Sequence, residues 1–394
     1  MNDQHPDHSS PNWPRRHPKL TLLIVNGFLL LLLLGIAEVV ARLIITYNPS
    51  YYTSIETTGT ELHFPYGTIP INSDGHPDTE FDLGDERPRI AYVGDSVTFG
   101  VGAGYGYRFS DILEARHPEY QHMTLASVGA GFRSKEMIER RVAEAHRLGI
   151  DLFIYFFNLN DVLPHANGFR NETARENNGP EGQPDAGKLT VGGTFQEAIQ
   201  FLRANTQWLR DSSYFFNWLR FRGRVLLAQF GIGNRGLPSY ELHPDTYPDV
   251  IGNTAERINY LAARLADSGI DFALVVLPYE MQISIDARNT YSSLGIEWDQ
   301  SFLSGKTSEL LVRSLDDGIP VFHARNAFID GEVTPDDIQV GEYFVYDRGD
   351  SLDWNHPNRA GHRKIADFLD RVDLLKLAPE PEQPGNDGGG DGPA

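Results

Sequence analysis

Three residues of this 394-residue chain have the types and surroundings that nucleophilic catalysis requires, although they lie far apart in the sequence. Ser96 follows the apolar run 89–94 and precedes a turn into a helix. A serine at such a position is exposed at the carboxyl edge of a sheet, where a nucleophile can act. Because a serine hydroxyl is a weak nucleophile at neutral pH, it needs a base, a group that orients the base, and donors for the developing oxyanion.

The candidate base and its orienting acid lie near the end of the chain, in the stretch 350–372. Pro357 is suited to the first turn of a helix there, so Asp353 and His356 fall in the loop before it. A spacing of three residues across such a turn lets a carboxylate bind one imidazole nitrogen while the other nitrogen faces a serine. His362 is the rival base, but it lies within the helix and has no similarly placed acid.

The glycines after Ser96 do not form a nucleotide-binding motif. Gly100, Gly102, Gly104 and Gly106 alternate, whereas the dinucleotide motif GxGxxG needs a glycine at position 105 or 107, where tyrosines stand. A phosphate-binding P-loop needs Gly-Lys-Ser/Thr, and no lysine is near. We therefore expect a flexible turn that lets the backbone approach the group that the serine attacks.

Composition excludes several other kinds of site. The formal net charge is −20, which argues against a nucleic-acid partner because phosphate binding needs clustered lysine and arginine. We interpret the acidity as a source of solubility. The chain contains no cysteine, so disulfides, thiolate metal sites and cysteine nucleophiles are excluded. The sequence indicates no cofactor and no metal site, and it does not predict an oligomeric state.

A long apolar segment near the start of the chain predicts a membrane anchor. Residues 20–42 are long and apolar enough to cross a bilayer as a helix, and Glu38 and Arg42 can pair at its end. Basic residues precede this segment and few follow it, so the positive-inside rule places residues 1–19 in the cytoplasm and the rest in the periplasm. A cleaved signal peptide is the alternative, but its apolar stretch is usually only about 7–15 residues long.

Strand-like and helix-like segments alternate beyond residue 88. Short apolar runs are separated by amphipathic segments such as 135–149 and 253–269. This alternation predicts a parallel sheet that is covered by helices on both faces. The predicted strands are 89–94, 123–128, 151–158, 271–277 and 319–324.

The remaining segments divide the chain around one domain, predicted at 88–376. Residues 43–87 are polar and turn-rich, without clear periodicity, and are predicted to be a juxtamembrane linker. Residues 164–250 form an insert, because they break the alternation of strands and helices. Its aromatic part, 205–230, would be a helix on the domain, a cap near the substrate or a surface resting on the membrane. Residues 377–394 have the composition of a disordered tail.

Four short motifs in this order resemble those of the SGNH or GDSL hydrolases. They are Gly94-Asp95-Ser96 after the first strand, Gly129 after the second, Asn160-Asp161 after the third, and Asp353-x-x-His356 near the end. The resemblance covers roughly residues 88–372, and four motifs in order are far more specific than any one of them. Two positions depart from the family pattern: Asn158 replaces the glycine of Gly-x-Asn-Asp, and Ser127 stands where relatives commonly have asparagine.

The resemblance implies a three-layer α/β/α sandwich with a parallel sheet of about five strands, the flavodoxin-like fold of the SGNH hydrolases. It implies Ser96 as the nucleophile, His356 as the base and Asp353 as the residue that orients it. The oxyanion hole would combine the backbone N–H groups of Ser96 and Gly129 with the side-chain amide of Asn160. Three aimed N–H groups are also what a tetrahedral oxyanion requires physically.

Asp95 and Asp161 are interpreted as supports whose carboxylates hydrogen-bond the turns that hold the serine and the asparagine. The function expected from these residues is a membrane-anchored serine esterase that acts through a covalent ester on Ser96. It would remove a small acyl group, such as acetate, from a carbohydrate or lipid ester outside the cytoplasm. Two alternatives stay open: an O-acyltransferase that modifies a surface polysaccharide with the same residues, and a non-catalytic scaffold or assembly protein.

Overall fold

A computed structural model describes most of the chain with two sheets and the helices around them. The described residues are 17–44, 57–58, 61–64, 67–128, 132, 134–162, 206–229, 246–293, 296, 305–345, 353 and 355–381. The strands are β1 (Thr57–Thr58), β2 (Glu61–Phe64), β3 (Gly67–Pro70), β4 (Arg89–Gly94), β5 (Gln121–Thr124), β6 (Leu152–Phe157), β7 (Asp271–Val276) and β8 (Val321–His323). The helices are α1 (Pro18–Ile44), α2 (Ser96–Phe99), α3 (Phe109–Arg116), α4 (Lys135–Leu148), α5 (Gln207–Ser212), α6 (Tyr214–Gln229), α7 (Pro248–Asp267), α8 (Ile285–Ser293), α9 (Lys306–Arg313) and α10 (Arg359–Arg371).

The larger sheet is parallel and has the strand order β5-β4-β6-β7-β8. Alternate residues of β6 point to opposite faces, as in any strand. Phe153, Tyr155 and Phe157 pack with α4 and α7 on one face, whereas Ile154 and Phe156 pack with α3 and α10 on the other. The predicted three-layer α/β/α arrangement with five parallel strands is therefore confirmed.

Strand β5 is shorter and earlier than the run 123–128 that the sequence predicted. The chain beyond Thr124 still follows β4, since the N–H of Leu125 donates to the carbonyl of Tyr92 and the N–H of Ser127 to that of Gly94. The register of paired residues nevertheless ends at Thr124.

The predicted linker contains structure that the sequence did not suggest. Strands β1, β2 and β3 form a small antiparallel sheet, and its Leu62 and Ile69 are buried with Phe99 and Val101 near the serine-bearing turn. Strands of two to four residues are too short to show a period-two pattern, which is why none was recognised. Residues from Gly67 onward thus pack on the domain that was predicted to begin at residue 88.

The aromatic part of the insert forms α5 and α6, and α6 packs against the N-terminal helix α1. Ala37 and Glu38 of α1 are half-buried and Ala41 is buried, while the rest of the apolar segment is largely exposed. Residues 164–205 and 230–245 of the insert lie outside the described residues, as do 382–394 of the predicted tail. Helix α1 is long and apolar enough to be a membrane span or a signal sequence, with a mean hydropathy of 2.6 over its most apolar 18 residues.

Candidate active site

Ser96 stands at the carboxyl end of β4, at the start of the one-turn helix α2. The side chain of Asp95 caps this helix by accepting a hydrogen bond from the N–H of Val97 at 2.9 Å. Gly94 is required at the strand end because a Cβ there would collide with the hydroxyl of Thr98 and the carbonyl of Phe156. Strand, glycine and cap together fix the serine at the edge of the sheet.

His356 lies in the loop before α10, on the same edge. The helix begins at Arg359, two residues later than Pro357 suggested, because Asn358 caps it with a side-chain oxygen that accepts from two backbone N–H groups. Pro357 instead forms an isolated bridge with Phe344. The loop that holds His356 is therefore fixed on both sides, by this bridge and by the helix cap.

The glycine turn after α2 contacts the loop that carries His356. A Cβ on Gly102 would collide with the carbonyl oxygen of Pro357, so this glycine lets the turn after Ser96 approach that loop. Gly100 ends α2 with a φ of +89°, a backbone conformation that side chains disfavour. The two glycines thus allow the two loops to meet beside Ser96.

The structure brings Ser96, His356 and Asp353 into one hydrogen-bonded chain. The Nε2 atom of His356 lies 2.7 Å from the Oγ atom of Ser96, across 260 positions of sequence. Its Nδ1 atom lies 2.8 and 2.9 Å from the two carboxylate oxygens of Asp353. Ser96 and His356 are each 7% exposed and Asp353 is 2% exposed, so the whole chain of contacts is shielded from bulk water.

The surroundings of the imidazole determine which nitrogen carries its proton. An ionised carboxylate can only accept hydrogen bonds, so Nδ1 of His356 must donate to Asp353. In the neutral ring this leaves Nε2 as an acceptor for the hydroxyl proton of Ser96. The carboxylate also accepts the backbone N–H of His356 at 3.1 Å, which holds the loop and the ring together. This arrangement can deprotonate a serine as it attacks a carbonyl carbon.

Of the expected oxyanion donors, the amide of Asn160 lies beside the serine turn. Its Nδ2 donates to Asp95 at 2.8 Å, and because an amide nitrogen carries two N–H groups, one remains for an oxyanion. Asn160 lies in a short 3-10 turn, Leu159–Asp161, that directly follows β6. The third expected donor, Gly129, lies outside the described residues.

Asp95 and Asp161 are both buried and both bind turn residues. Asp95 accepts from Val97 and from Asn160, so one carboxylate joins the serine turn to the asparagine turn. Asp161 accepts from the hydroxyl of Tyr155 at 3.1 Å, and its carboxylate lies 3.4 Å from the N–H of Asn158, the residue that departs from the family pattern. Burial raises the pKa of Asp95 and raises that of Asp161 well above its ordinary value, to which the charge of Asp95 contributes.

His362, the rival base, is a packing residue in this structure. Its ring is fully buried and stacks on Phe109, with ring centroids 5.2 Å apart. Its Nδ1 accepts the backbone N–H of Phe109 at 3.2 Å. Burial lowers the pKa of His362 to about 3, with a further contribution from the nearby guanidinium of Arg108. A ring held neutral in the core cannot reach Ser96.

Two residues behind the site were not suggested by the sequence. The hydroxyl of Tyr291 lies 2.9 Å from the backbone carbonyl of Asp353 and 2.7 Å from a carboxyl oxygen of Glu280. Burial raises the pKa of Glu280 to about 7. Because one hydroxyl carries one hydrogen, both contacts are hydrogen bonds only when Glu280 is protonated and donates to Tyr291. A protonated Glu280 thus helps to hold Asp353 in place.

Among the described residues, no group of three or more histidine, aspartate or glutamate side chains could hold a metal ion. The donors that converge on the edge of the sheet are a hydroxyl, an imidazole, a carboxylate and an amide, and they suit covalent acyl chemistry.

Solved structures are the known proteins to which this chain is similar. No family model matches it, and no curated protein matches it. Solved structures similar to it include a member of the lipolytic protein G-D-S-L family from Veillonella parvula (14% identity, TM-score 0.33, 72% of this chain and 97% of that one). A second is a GDSL-like lipase from Bacteroides thetaiotaomicron (10% identity, TM-score 0.35, 73% of this chain and 88% of that one). A third is the psychrotrophic esterase EstA from Pseudoalteromonas (8% identity, TM-score 0.33, 73% of this chain and 98% of that one). At these identities, no residue's role is carried over from them.

Proposed function

We propose that this protein is a serine ester hydrolase of the SGNH or GDSL type. The observation that carries the proposal is the contact chain from Ser96 through His356 to Asp353, with 2.7 and 2.8 Å between the donor and acceptor atoms. This contact chain lies at the carboxyl edge of a parallel sheet, where α/β enzymes bind their substrates.

The reaction passes through a covalent ester. The Oγ atom of Ser96 attacks the carbonyl carbon of the substrate ester while its proton moves to Nε2 of His356. Asp353 stabilises the imidazolium that forms. The oxyanion accepts hydrogen bonds from the remaining N–H of Asn160 and from the backbone N–H of Ser96. When the intermediate collapses, the C–O bond to the alcohol breaks and the alcohol takes the proton from His356. A water molecule, deprotonated by the same imidazole, then releases the acid and restores the serine.

We infer further that α1 is retained as a membrane anchor and that the catalytic domain lies outside the cytoplasm. The side chains of Glu38 and Arg42 contact residues 212–215, and cleavage after α1 would remove these partners. The substrate is then an acyl ester present at that surface, and we propose a small group such as acetate on a carbohydrate or a lipid.

The test of the catalytic proposal is labelling of the full-length protein in detergent with a fluorophosphonate probe. The wild type and the control variant Ser314→Ala, an exposed serine in the loop after α9, should both be labelled. The variant Ser96→Ala should not. Labelling that persists in Ser96→Ala would rule out Ser96 as the nucleophile. An unlabelled wild type would instead support a non-catalytic scaffold.

The acyl acceptor is tested separately, since transfer to a sugar hydroxyl would use the same residues. The purified protein is incubated with an acetyl-ester donor, with and without an oligosaccharide. We expect release of acetate at the same rate in both reactions, with no acetylated sugar. Acetylated oligosaccharide that depends on Ser96 would identify the protein as a transferase.

A further inference from the structure

The insert helix α6 is joined to α1 by a carboxylate that lies within the apolar segment. Glu38 accepts hydrogen bonds from the hydroxyl of Ser213 at 2.7 Å and from the N–H groups of Tyr214 and Phe215 at 3.1 and 3.0 Å. The first N–H groups of a helix have no partner within the helix. Glu38 therefore caps two of these N–H groups from another part of the chain, while the hydroxyl of Ser213 accepts the N–H of Phe216 at 3.0 Å.

Arg42, one turn further along α1, completes this junction. It donates to the carboxylate of Glu38 at 2.8 Å and to the backbone carbonyl of Ser212 at 2.6 Å. Its guanidinium also lies 4.8 Å from the ring centroid of Tyr214. Both charges of the segment thus have partners in the insert, which lowers the cost of placing them near the hydrocarbon of a bilayer.

The packing of the two helices is of the kind found between membrane helices. Ala37 and Ala41, four residues apart on α1, lie on the side of Glu38 that is withdrawn from solvent. Small residues at this spacing allow helix backbones to approach closely in a bilayer, where hydrophobic burial provides no driving force.

The position of Glu38 also sets the depth of the junction. It lies six residues before Ile44, the last residue of α1. At a rise of 1.5 Å per residue this is roughly 9 Å along the helix axis. The start of α6 is therefore level with the last turns of α1, at the outer end of the apolar segment.

The surface that α5 and α6 leave exposed is apolar and rich in tryptophan. Trp208 is 65% exposed, Leu219 and Leu226 are each 53% exposed, and Trp218 is 39% exposed. The guanidinium of Arg222 lies 5.9 Å from the ring of Trp218. Tryptophan, leucine and a neighbouring arginine are typical of helices that lie in the interface of a membrane.

The end of α1 beside this junction is also apolar and exposed. Val39, Val40, Leu43 and Ile44 are all exposed and lie within two turns of Glu38. Large apolar side chains exposed on both helices are unfavourable in water. Their exposure is favourable if the same lipid covers both helices.

We propose that α5 and α6 lie in the outer leaflet of the bilayer that α1 crosses, with Trp208, Leu219 and Leu226 in contact with lipid. The proposal rests on the membrane anchoring inferred above, and it adds a second element of membrane contact. The partner of α5 and α6 is the lipid itself, and the Glu38 junction fixes the depth of these two helices in the bilayer.

The absence of cysteine in the chain makes a direct test simple. Single cysteines are introduced in the full-length protein by Leu219→Cys and Leu226→Cys, labelled with a nitroxide, and reconstituted in vesicles of phosphatidylethanolamine and phosphatidylglycerol. Leu31→Cys, in the middle of α1, is the control for lipid, and Asp317→Cys, in an exposed loop of the domain, is the control for water. Retained phosphonate labelling shows that each variant is folded.

We expect the labels at 219 and 226 to collide with a water-soluble nickel chelate at least about fivefold less often than the label at 317, and to collide readily with oxygen, as lipid-exposed sites do. Collisions with nickel as frequent as at 317, while Leu31→Cys stays protected, would overturn the proposal and leave the anchor intact. Low collision rates with both reagents would also overturn it, because the face would then be covered by protein. Frequent nickel collisions at 31 as well would overturn the anchoring itself, independently of the esterase activity.

Discussion

Two contacts between distant parts of the chain organise this molecule, and they lie in opposite surroundings. Ser96 meets His356 across 260 positions at a sheet edge where both partners are buried. Glu38 meets Ser213 across 175 positions on a pair of helices whose neighbouring side chains are largely exposed and apolar. The partners of the first contact are enclosed by the folded protein, whereas the exposed surface around the second contact is suited to lipid.

The two carboxylates in these contacts have different tasks. In the proposed reaction, Asp353 binds an imidazole that gains and loses a proton in each turnover, so its loss should affect rate more than structure. Glu38 binds backbone N–H groups that never change charge, so its loss should affect the association of two helices and leave the chemistry intact. Four substitutions test this separation.

The largest effect is expected for Asp353→Asn. An amide in this position can present an N–H to the imidazole and favours the wrong tautomer, so kcat should fall by about 10⁴-fold. Hydrolysis of p-nitrophenyl acetate measures it, with Asp317→Asn on the domain surface as the control. A kcat within a few-fold of the wild type would mean that the buried carboxylate has no catalytic task, and the contrast with Glu38 would disappear.

The next largest effect is expected for Asn160→Ala, which removes one donor to the oxyanion. Such donors act mainly in the transition state, so kcat should fall by about 10²–10³-fold while KM changes little. The control is Asn259→Ala, whose side chain accepts only from the backbone of Asp316 at the surface. An increase in KM with an unchanged kcat would assign Asn160 to substrate binding instead.

A pH-dependent effect on stability is expected for Glu280→Gln. Burial raises the pKa of Glu280 from 4.5 to about 7, with a further contribution from the charges of Asp353 and Asp286, while the N–H of Gly341 donates a hydrogen bond to its carboxyl group. The folded state therefore holds this proton more tightly than the unfolded state. The resulting stability is fully present below pH 4.5 and is lost as the pH rises to about 7, a change on the order of 3 kcal/mol.

The variant carries a neutral amide and should not undergo this loss. Its Tm relative to the wild type should thus rise between pH 5 and 8, as measured by thermal unfolding in detergent. Glu332→Gln, an exposed residue, is the control. Parallel Tm curves for Glu280→Gln and the wild type would show that Glu280 is ionised in the folded protein and does not support Asp353 as described.

The smallest effect is expected for Glu38→Gln, which weakens the cap of α6. Loss of such a cap costs about 1 kcal/mol, so proteolytic cleavage within 206–229 should accelerate by roughly fivefold. The rate of p-nitrophenyl acetate hydrolysis should not change. A parallel loss of activity would couple the helix pair to the catalytic edge and end the separation between the two regions.

The sequence allowed the sheet and the contact chain at its edge to be predicted, because both depend on local signals. Apolar runs of strand length defined the five parallel strands, and short motifs at their ends selected Ser96, Asn160, Asp353 and His356. What could not be predicted depends on tertiary contacts. Tyr291 has no motif around it, and its relevance comes only from its proximity to the carbonyl of Asp353.

The same reason explains the other differences. The contact of Gly102 with the carbonyl of Pro357 has no local signal, because the two residues are 255 positions apart in the chain. The strands β1 to β3 are too short for a pattern, and the packing of α6 on α1 depends on which helix α6 meets. The sequence left a helix on the domain, a cap near the substrate and a surface resting on the membrane as alternatives for that segment, and the structure places its helix α6 against α1.

The separation between Ser96 and its base has a consequence during biosynthesis. A ribosome adds about 5–20 residues per second. Ser96 is therefore synthesised on the order of ten to fifty seconds before His356, the proposed base, which is 260 positions further along the chain. Until helix α10 closes over the sheet, the nascent chain carries only an inert serine. The proposed hydrolytic capacity therefore arises only after the segment that contains His356 has been synthesised.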